Sequence, residues 1–190
     1  MENTRQRLIT AALELFLRQG IHITGVAAVA AKAKLTKMTL YSHFASKEAL
    51  VVACLETRDQ LWRERVAALL AAEPDPVTAI LAFFPLYQAY IEDDSGRGCI
   101  FVNSAAEFPT ADHPIYLAVR KHKDGVREQL ITLAQSAGFS APAIVGDTVF
   151  LLLEGAFARA TLENPAEVFM TARQVASHWL YQQLHEDRRQ

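Results

Sequence analysis

Apolar residues recur at helical spacing along almost the whole chain, and the two-residue alternation of a half-buried strand is almost absent. That periodicity limits the fold to packed helices. Leu8, Ala11, Ala12, Leu15 and Phe16 form one such stripe, which Gly20 ends. Val26, Val29, Ala30 and Ala33 form a second, with Thr24 available as its N-cap. A third short helix spans residues 36–44, and a long one runs from Lys47 to about Ala72, where "EPDP" breaks it. A fifth runs from Pro76 to about Asp93 with Pro85 predicting a kink inside it, and "EDDSGRG" (92–98) reads as a loop. A short helix through "CIFVNSAAEF", one over 114–137 ended by Gly138, one over 142–163 and one from 165 to about Glu186 complete an all-α chain of nine helices.

Composition narrows the class further. A chain of 190 residues with 51% apolar and 21% charged side chains is ordinary for a soluble globular protein. Cys54 and Cys99 are too few for a disulfide framework, and no N-terminal segment resembles a secretion signal. No apolar run approaches 18 residues, since "TVFLLLEGAFARA" is broken by Glu154 and Arg159, so a cytoplasmic protein is expected. The net charge of −2 conceals an asymmetry. Residues 1–50 carry seven Lys and Arg against three Glu, a net +4, and the remainder carries −6. One basic end on an acidic body points to a polyanionic partner for that end.

The segment "LTKMTLYSHFASKEAL" (35–50) concentrates the chemistry. Thr36 is a good N-cap, Leu35 and Leu40 stand at hydrophobic-staple spacing, and Leu40 and Phe44 supply an inward stripe. Lys37, Met38, Tyr41 and Ser42 then point outward, with Thr39 and His43 on the flanks. Helix 26–33, a three-residue break and helix 37–43 have the lengths of a helix-turn-helix. Such a second helix places its N-terminal residues against base edges, where Lys, Thr, Ser and His donate and Met or a Thr methyl meets thymine. Tyr41 and His43 suit phosphate oxygens. Ser46 caps the next helix, so Lys47 stands in its first turn, where the macrodipole disfavours a cation unless a phosphate is bound there.

"TGVAAVAAKAKLTKMTLYSHFASKEAL", preceded by "ALELFLRQG", resembles the DNA-binding domain of TetR-type transcriptional regulators over about residues 5–55. The family usually has Gly in the turn where this chain has Lys34, which implies either a tolerated strain there or a slightly altered turn that places a basic side chain near the DNA backbone. The resemblance implies a helix-turn-helix domain over residues 1–50 and a helical effector-binding and dimerisation domain over 51–190. The implied function is a ligand-responsive repressor released from a pseudo-palindromic operator by a small molecule. Candidate DNA contacts are Thr24, Lys34, Thr36, Lys37, Met38, Thr39, Tyr41, Ser42, His43 and Lys47. Candidate effector contacts are Phe84, Tyr87, Tyr90, Asn103, Glu107, Phe150 and Glu154, an apolar set with a few polar anchors. A buried Glu154 needs a partner, for which Arg159, Arg173 or a ligand cation is available. Helices 142–163 and 166–186, with Gly155, Ala156, Ala158 and Ala160 allowing close approach, are the expected homodimer surface.

Other classes find little support. There is no G-x-S-x-G, no H-E-x-x-H and no phosphate-cradling glycine loop, so no enzyme is expected. The six histidines show no metal-ligand spacing, and no cofactor is expected. A DNA-binding regulator without an effector, and a helical small-molecule binder that has lost DNA binding, remain the alternatives.

Overall fold

The computed structural model describes residues 3–93 and 98–189. Among these residues every regular element is a helix: α1 (Thr4–Gln19), α2 (Val26–Lys32), α3 (Lys37–His43), α4 (Lys47–Ala72), α5 (Pro76–Asp93), α6 (Ile100–Glu107), α7 (Pro114–Ser136), α8 (Pro142–Arg159) and α9 (Pro165–Asp187). Residues 94–97 of the expected loop lie outside the described residues. No described helix is long and apolar enough to cross a membrane.

The chain divides into two compact units, Met1–Trp62 with Cys99–His122, and Arg63–Gly98 with Lys123–Gln190. This division differs from one at residue 50. The first half of α4, all of α6 and the start of α7 belong with the helix-turn-helix.

In the first unit α1, α2 and α3 pack on one another, with Leu8, Ile9, Ala12, Val29 and Leu40 excluded from solvent. Local chemistry sets the boundaries. Asn3 caps α1 by accepting from the Gln6 amide at 2.8 Å, and Gly20 closes it at φ 90°. The N-cap of α2 is Gly25, which has no side chain to cap with, rather than Thr24. Thr24 is turned inward, where its hydroxyl donates to the Gly20 carbonyl at 2.7 Å and accepts from the Gln19 amide at 3.0 Å.

The α2–α3 turn is a Schellman motif. Leu35 N donates to Ala30 O at 2.9 Å and Lys34 N to Ala31 O at 3.0 Å. This geometry puts Lys34 at φ 56°, the one non-glycine residue with positive φ among those described. A side chain there costs about 1–2 kcal/mol that glycine avoids. Thr36 and Ser46 then cap α3 and α4 as their spacing predicts, accepting from Thr39 N at 3.0 Å and Ala49 N at 3.1 Å.

In the second unit α5, α8 and α9 pack together around Ile80, Phe84, Leu153, Phe169 and Leu180. Helix α5 continues across Pro85, which stands on an exposed face where its missing N–H is least costly. Helix α8 ends at Arg159 rather than near Glu163. Residues 160–163 form turns, with the Thr161 hydroxyl donating to Ala158 O at 2.7 Å, because Asn164 must leave helical geometry to cap α9 ahead of Pro165.

The glycine that lets helices approach is Gly146. A Cβ there would lie 2.5 Å from Ile131 Cγ1 and 2.8 Å from its backbone nitrogen. Gly155 has open space around it. Replacing Gly146 by Ala is therefore expected to destabilise the fold by about 1–3 kcal/mol despite alanine's better helix propensity. The urea midpoint measures this; an unchanged midpoint would contradict the close approach of α7 and α8.

Candidate nucleic-acid interface and effector residues

Helix α3 is only seven residues long, and its inward side is Leu40, fully buried, followed by Phe44 at the C-cap. Arg5 of α1 lies over the Phe44 ring at 5.1 Å, which ties the far end of α3 to α1 through a cation–π contact. With that side anchored, the rest of α3 is displayed. Lys37, Met38, Tyr41, Ser42 and His43 are exposed, Met38 at 82%, and Thr39 is half-buried. A methionine this exposed on a packed helix has no role in the core.

The hydroxyls are arranged within the helix. Thr36 Oγ1 and Thr39 Oγ1 lie 2.8 Å apart, and Ser42 Oγ donates to Thr39 O at 2.8 Å. Each retains capacity for one further partner on its open side. Among the described residues the Lys34 and Lys37 ammonium groups have no hydrogen-bond or ion-pair partner. The structure thus brings Lys34, Thr36, Lys37, Met38, Thr39, Tyr41, Ser42 and His43 together along the turn and α3.

Lys47 joins them through the α1–α2 loop, with Nζ 3.4 Å from the His22 carbonyl. Its neighbour Glu48 places an acid in the same first turn. The Ser46 hydroxyl and the backbone amide of Glu48 itself hold the Glu48 carboxyl below the usual carboxylate range, with His113 and Lys47 smaller causes. Thr24 is set apart from the other candidates. It has 0% exposure and its hydroxyl is already used on both sides.

Glu107, the last residue of α6, grips the same loop. Its two carboxylate oxygens accept from Ile21 N at 2.9 Å and His22 N at 2.6 Å, and its carbonyl lies 2.9 Å from His22 Nε2. The His22 ring stacks on Phe108 at 4.8 Å, and Phe108 stacks on His113 at 4.9 Å. Helix α6 is itself anchored by the buried His122 of α7, which stacks on Phe101 at 3.6 Å and bonds Asp59 of α4 at 2.8 Å. None of these links is visible as a motif, since Glu107 and its partner His22 lie 85 residues apart.

The seven effector candidates separate. Asn103 and Glu107 belong to the first unit, and both oxygens of Glu107 are engaged by the loop. Phe84, Tyr87, Tyr90, Phe150 and Glu154 belong to the second. There Tyr87 meets Phe157 edge-on at 5.7 Å and points its hydroxyl at Glu154 Oε1, 3.4 Å away. Phe84 is fully buried, and Arg65 lies over the Tyr90 ring at 5.6 Å.

The partner of Glu154 is neither Arg159 nor Arg173 but Lys123 of α7, whose Nζ donates to both carboxylate oxygens at 2.7 and 2.8 Å. Arg159 pairs with Glu163 instead. A groove of about 600 Å³ runs along α5 and α9 past Gln88, Phe169, Met170, Arg173 and His178, and none of the seven candidates lines it.

Burial pushes the Cys54 thiol well above its ordinary value, and its Sγ lies 3.8 Å from Ile9 O, so it behaves as a core residue. Among the described residues no group of His, Cys, Asp and Glu could hold a metal ion.

Known proteins share this arrangement. The family model described as bacterial regulatory proteins, tetR family, matches residues 8–54. The HTH-type transcriptional repressor DhaR of a Mycobacterium species is 29% identical over 178 residues, covering 88% of each chain. The HTH-type transcriptional regulator TtgW of Pseudomonas putida is 31% identical over 109 residues, which is 50% of this chain and 80% of that one. A crystal structure of a TetR-family regulator from Streptomyces coelicolor superposes with a TM-score of 0.89 at 29% identity over 95% of both chains.

Replacing Glu107 by Ala removes both acceptors at once, and backbone donors hydrogen-bonded to a carboxylate are protected only while it is there. Amide exchange at Ile21 and His22 is expected to accelerate about tenfold or more. Unchanged exchange at both amides would contradict the role of Glu107 in holding the loop.

Proposed function

The chain belongs to the tetR family of DNA-binding transcriptional regulators, and from that premise we propose that it is a homodimeric repressor of the cytoplasm, released from a pseudo-palindromic operator by a small-molecule effector. The observation that carries the reading is α3: seven residues, one buried side, and an exposed face of Lys37, Met38, Tyr41, Ser42 and His43 beside a helix-turn-helix turn. Lys37 and Thr39, at its start, read base edges in the major groove, and Met38 packs on a thymine methyl. Tyr41, His43 and Lys47 hold phosphates and set the register of the helix on the duplex. Repression as the direction of regulation follows DhaR, a repressor by its name.

Dimerisation is supported by α8 and α9. Helix α8 is apolar nearly all round, yet within one chain it leaves Ile144 and Leu151 exposed, Leu151 at 71%, beside the open surface at Gly155. Val175 and Tyr181 of α9 are exposed as well. Apolar side chains presented together on adjacent helices mark a protein–protein surface. The symmetric partner would bring a second α3 to the adjacent half-site.

The effector reading rests on the second unit, where Tyr87, Phe157 and Phe169 form an aromatic cluster and the Tyr87 hydroxyl reaches Glu154 of the Glu154–Lys123 pair. An ion pair beside an aromatic cluster offers a bound molecule both a charge to compete for and apolar surface to cover. The effector lowers operator affinity to the extent that it binds the non-binding dimer conformation more tightly.

The two classes of DNA contact predict different losses. Lys37→Ala is expected to relax sequence preference, with about 1–3 kcal/mol of discrimination lost at one base pair. Lys47→Ala is expected to weaken binding to all sequences alike and reduce the slope of log affinity against log salt by about one. Titrations of both variants at several salt concentrations measure this. A uniform loss from Lys37→Ala, or an unchanged slope for Lys47→Ala, would overturn the assignment.

A further inference from the structure

Beside the turn that carries α3 lies a groove of about 320 Å³, lined by Arg7, Thr10, Ala11 and Glu14 of α1 and by Lys32, Ala33 and Lys34 at the end of α2. We propose that Arg7, Lys32 and Lys34 form a second DNA-backbone site there, which holds a phosphate of the duplex outside the contacts made by the recognition helix. The inference rests on the proposed reading of α3 as the groove-binding helix.

Two of the three cations have structural partners in the free protein. Arg7 Nη2 donates to the Ala33 carbonyl at 2.7 Å, satisfying the exposed end of α2 and complementing its dipole. Lys32 pairs with Glu14 across the groove. These contacts fix where the cations stand. They spend one guanidinium hydrogen of Arg7 and leave its other N–H donors available, in a planar fork that suits phosphate oxygens.

Lys34 has no such account. It is exposed, among the described residues it has no partner, and it occupies the left-handed conformation at φ 56° that glycine adopts without strain. The turn's own hydrogen bonds, Lys34 N to Ala31 O and Leu35 N to Ala30 O, are backbone bonds that glycine would make equally well. Folding therefore gains nothing from a lysine here. A strained residue at the edge of a basic groove, two positions before the cap of α3, is explained by what its charge does once DNA is bound. Among the described residues Glu14 is the only acid lining the groove, so three cations face one carboxylate and the groove is complementary to an anion. The adjacent polyanion, when α3 lies in the major groove, is the phosphate backbone flanking that groove.

This assigns stability and binding to opposite sides of one substitution. Lys34→Gly relieves the strain and removes the charge. It is expected to raise the thermal midpoint of the full-length protein, while lowering affinity for a mixed-sequence duplex of about 30 base pairs by roughly three- to tenfold at about 50 mM salt. The salt slope is expected to fall by about one, because a phosphate contact releases about one counterion. Lys34→Arg keeps the charge and is expected to retain both affinity and slope. Arg7→Gln is expected to weaken binding in the same sequence-independent way.

Lys34→Gly protein that is folded and binds with unchanged affinity and slope would overturn the proposal. If Lys47→Ala reduces the slope on the same duplex and Lys34→Gly does not, the second site alone is lost. If neither variant changes binding, the placement of the recognition helix fails with it.

Discussion

A helix of seven residues makes too few internal hydrogen bonds to persist in water, so whatever α3 displays depends on burying Leu40 and Phe44 beneath it. Leu40 has no exposed surface, and Phe44 is covered on one side by Arg5. Thr36 closes one end of the helix and the Phe44 amide, donating to Leu40 O at 3.0 Å, closes the other. A helix held on one side and at both ends presents its remaining side chains in a fixed array. Base recognition needs that rigidity, because bidentate donors discriminate only when they arrive in register.

The same unit holds the loop before α2 from several directions. Thr24 ties it internally to Gly20, Lys47 reaches the His22 carbonyl, and Glu107 takes the Ile21 and His22 amides. Glu107 ends α6, and α6 is fixed to α4 and α7 through Phe101, His122 and Asp59. The helix-turn-helix therefore shares one compact unit with α6 and the beginning of α7. Glu107 thereby links α6 to two backbone amides that stand before α2, the helix that leads into α3.

Local signals are legible in the sequence and long-range ones are not. The caps Thr36 and Ser46 and the stop at Gly20 follow from each residue and its near neighbours, so spacing alone locates them. Thr24 shows the limit: the same hydroxyl can cap the next helix or bond the preceding turn, and burial against Gly20 decides for the turn. The end of α8 is hidden because an apolar pattern continues past Arg159 while Asn164 and Pro165 already demand a cap. Glu154 needs a partner by desolvation alone, but Lys123 comes from another helix 31 residues earlier, and no periodicity connects them. The residues of α3 read as a site because they break the economy of a short helix; the effector candidates resemble core and partly are core, as Phe84 shows.

The proposed homodimer sets two copies of α3 on a symmetric duplex. Selection of binding sequences from a random duplex library, with purified protein at about 150 mM salt where sequence-independent phosphate binding is damped, tests it most directly. Enrichment of a pseudo-palindrome whose half-sites are about one helical turn apart or a multiple of it is expected. Recovery of no common sequence by folded protein, or of a single asymmetric half-site, would contradict it.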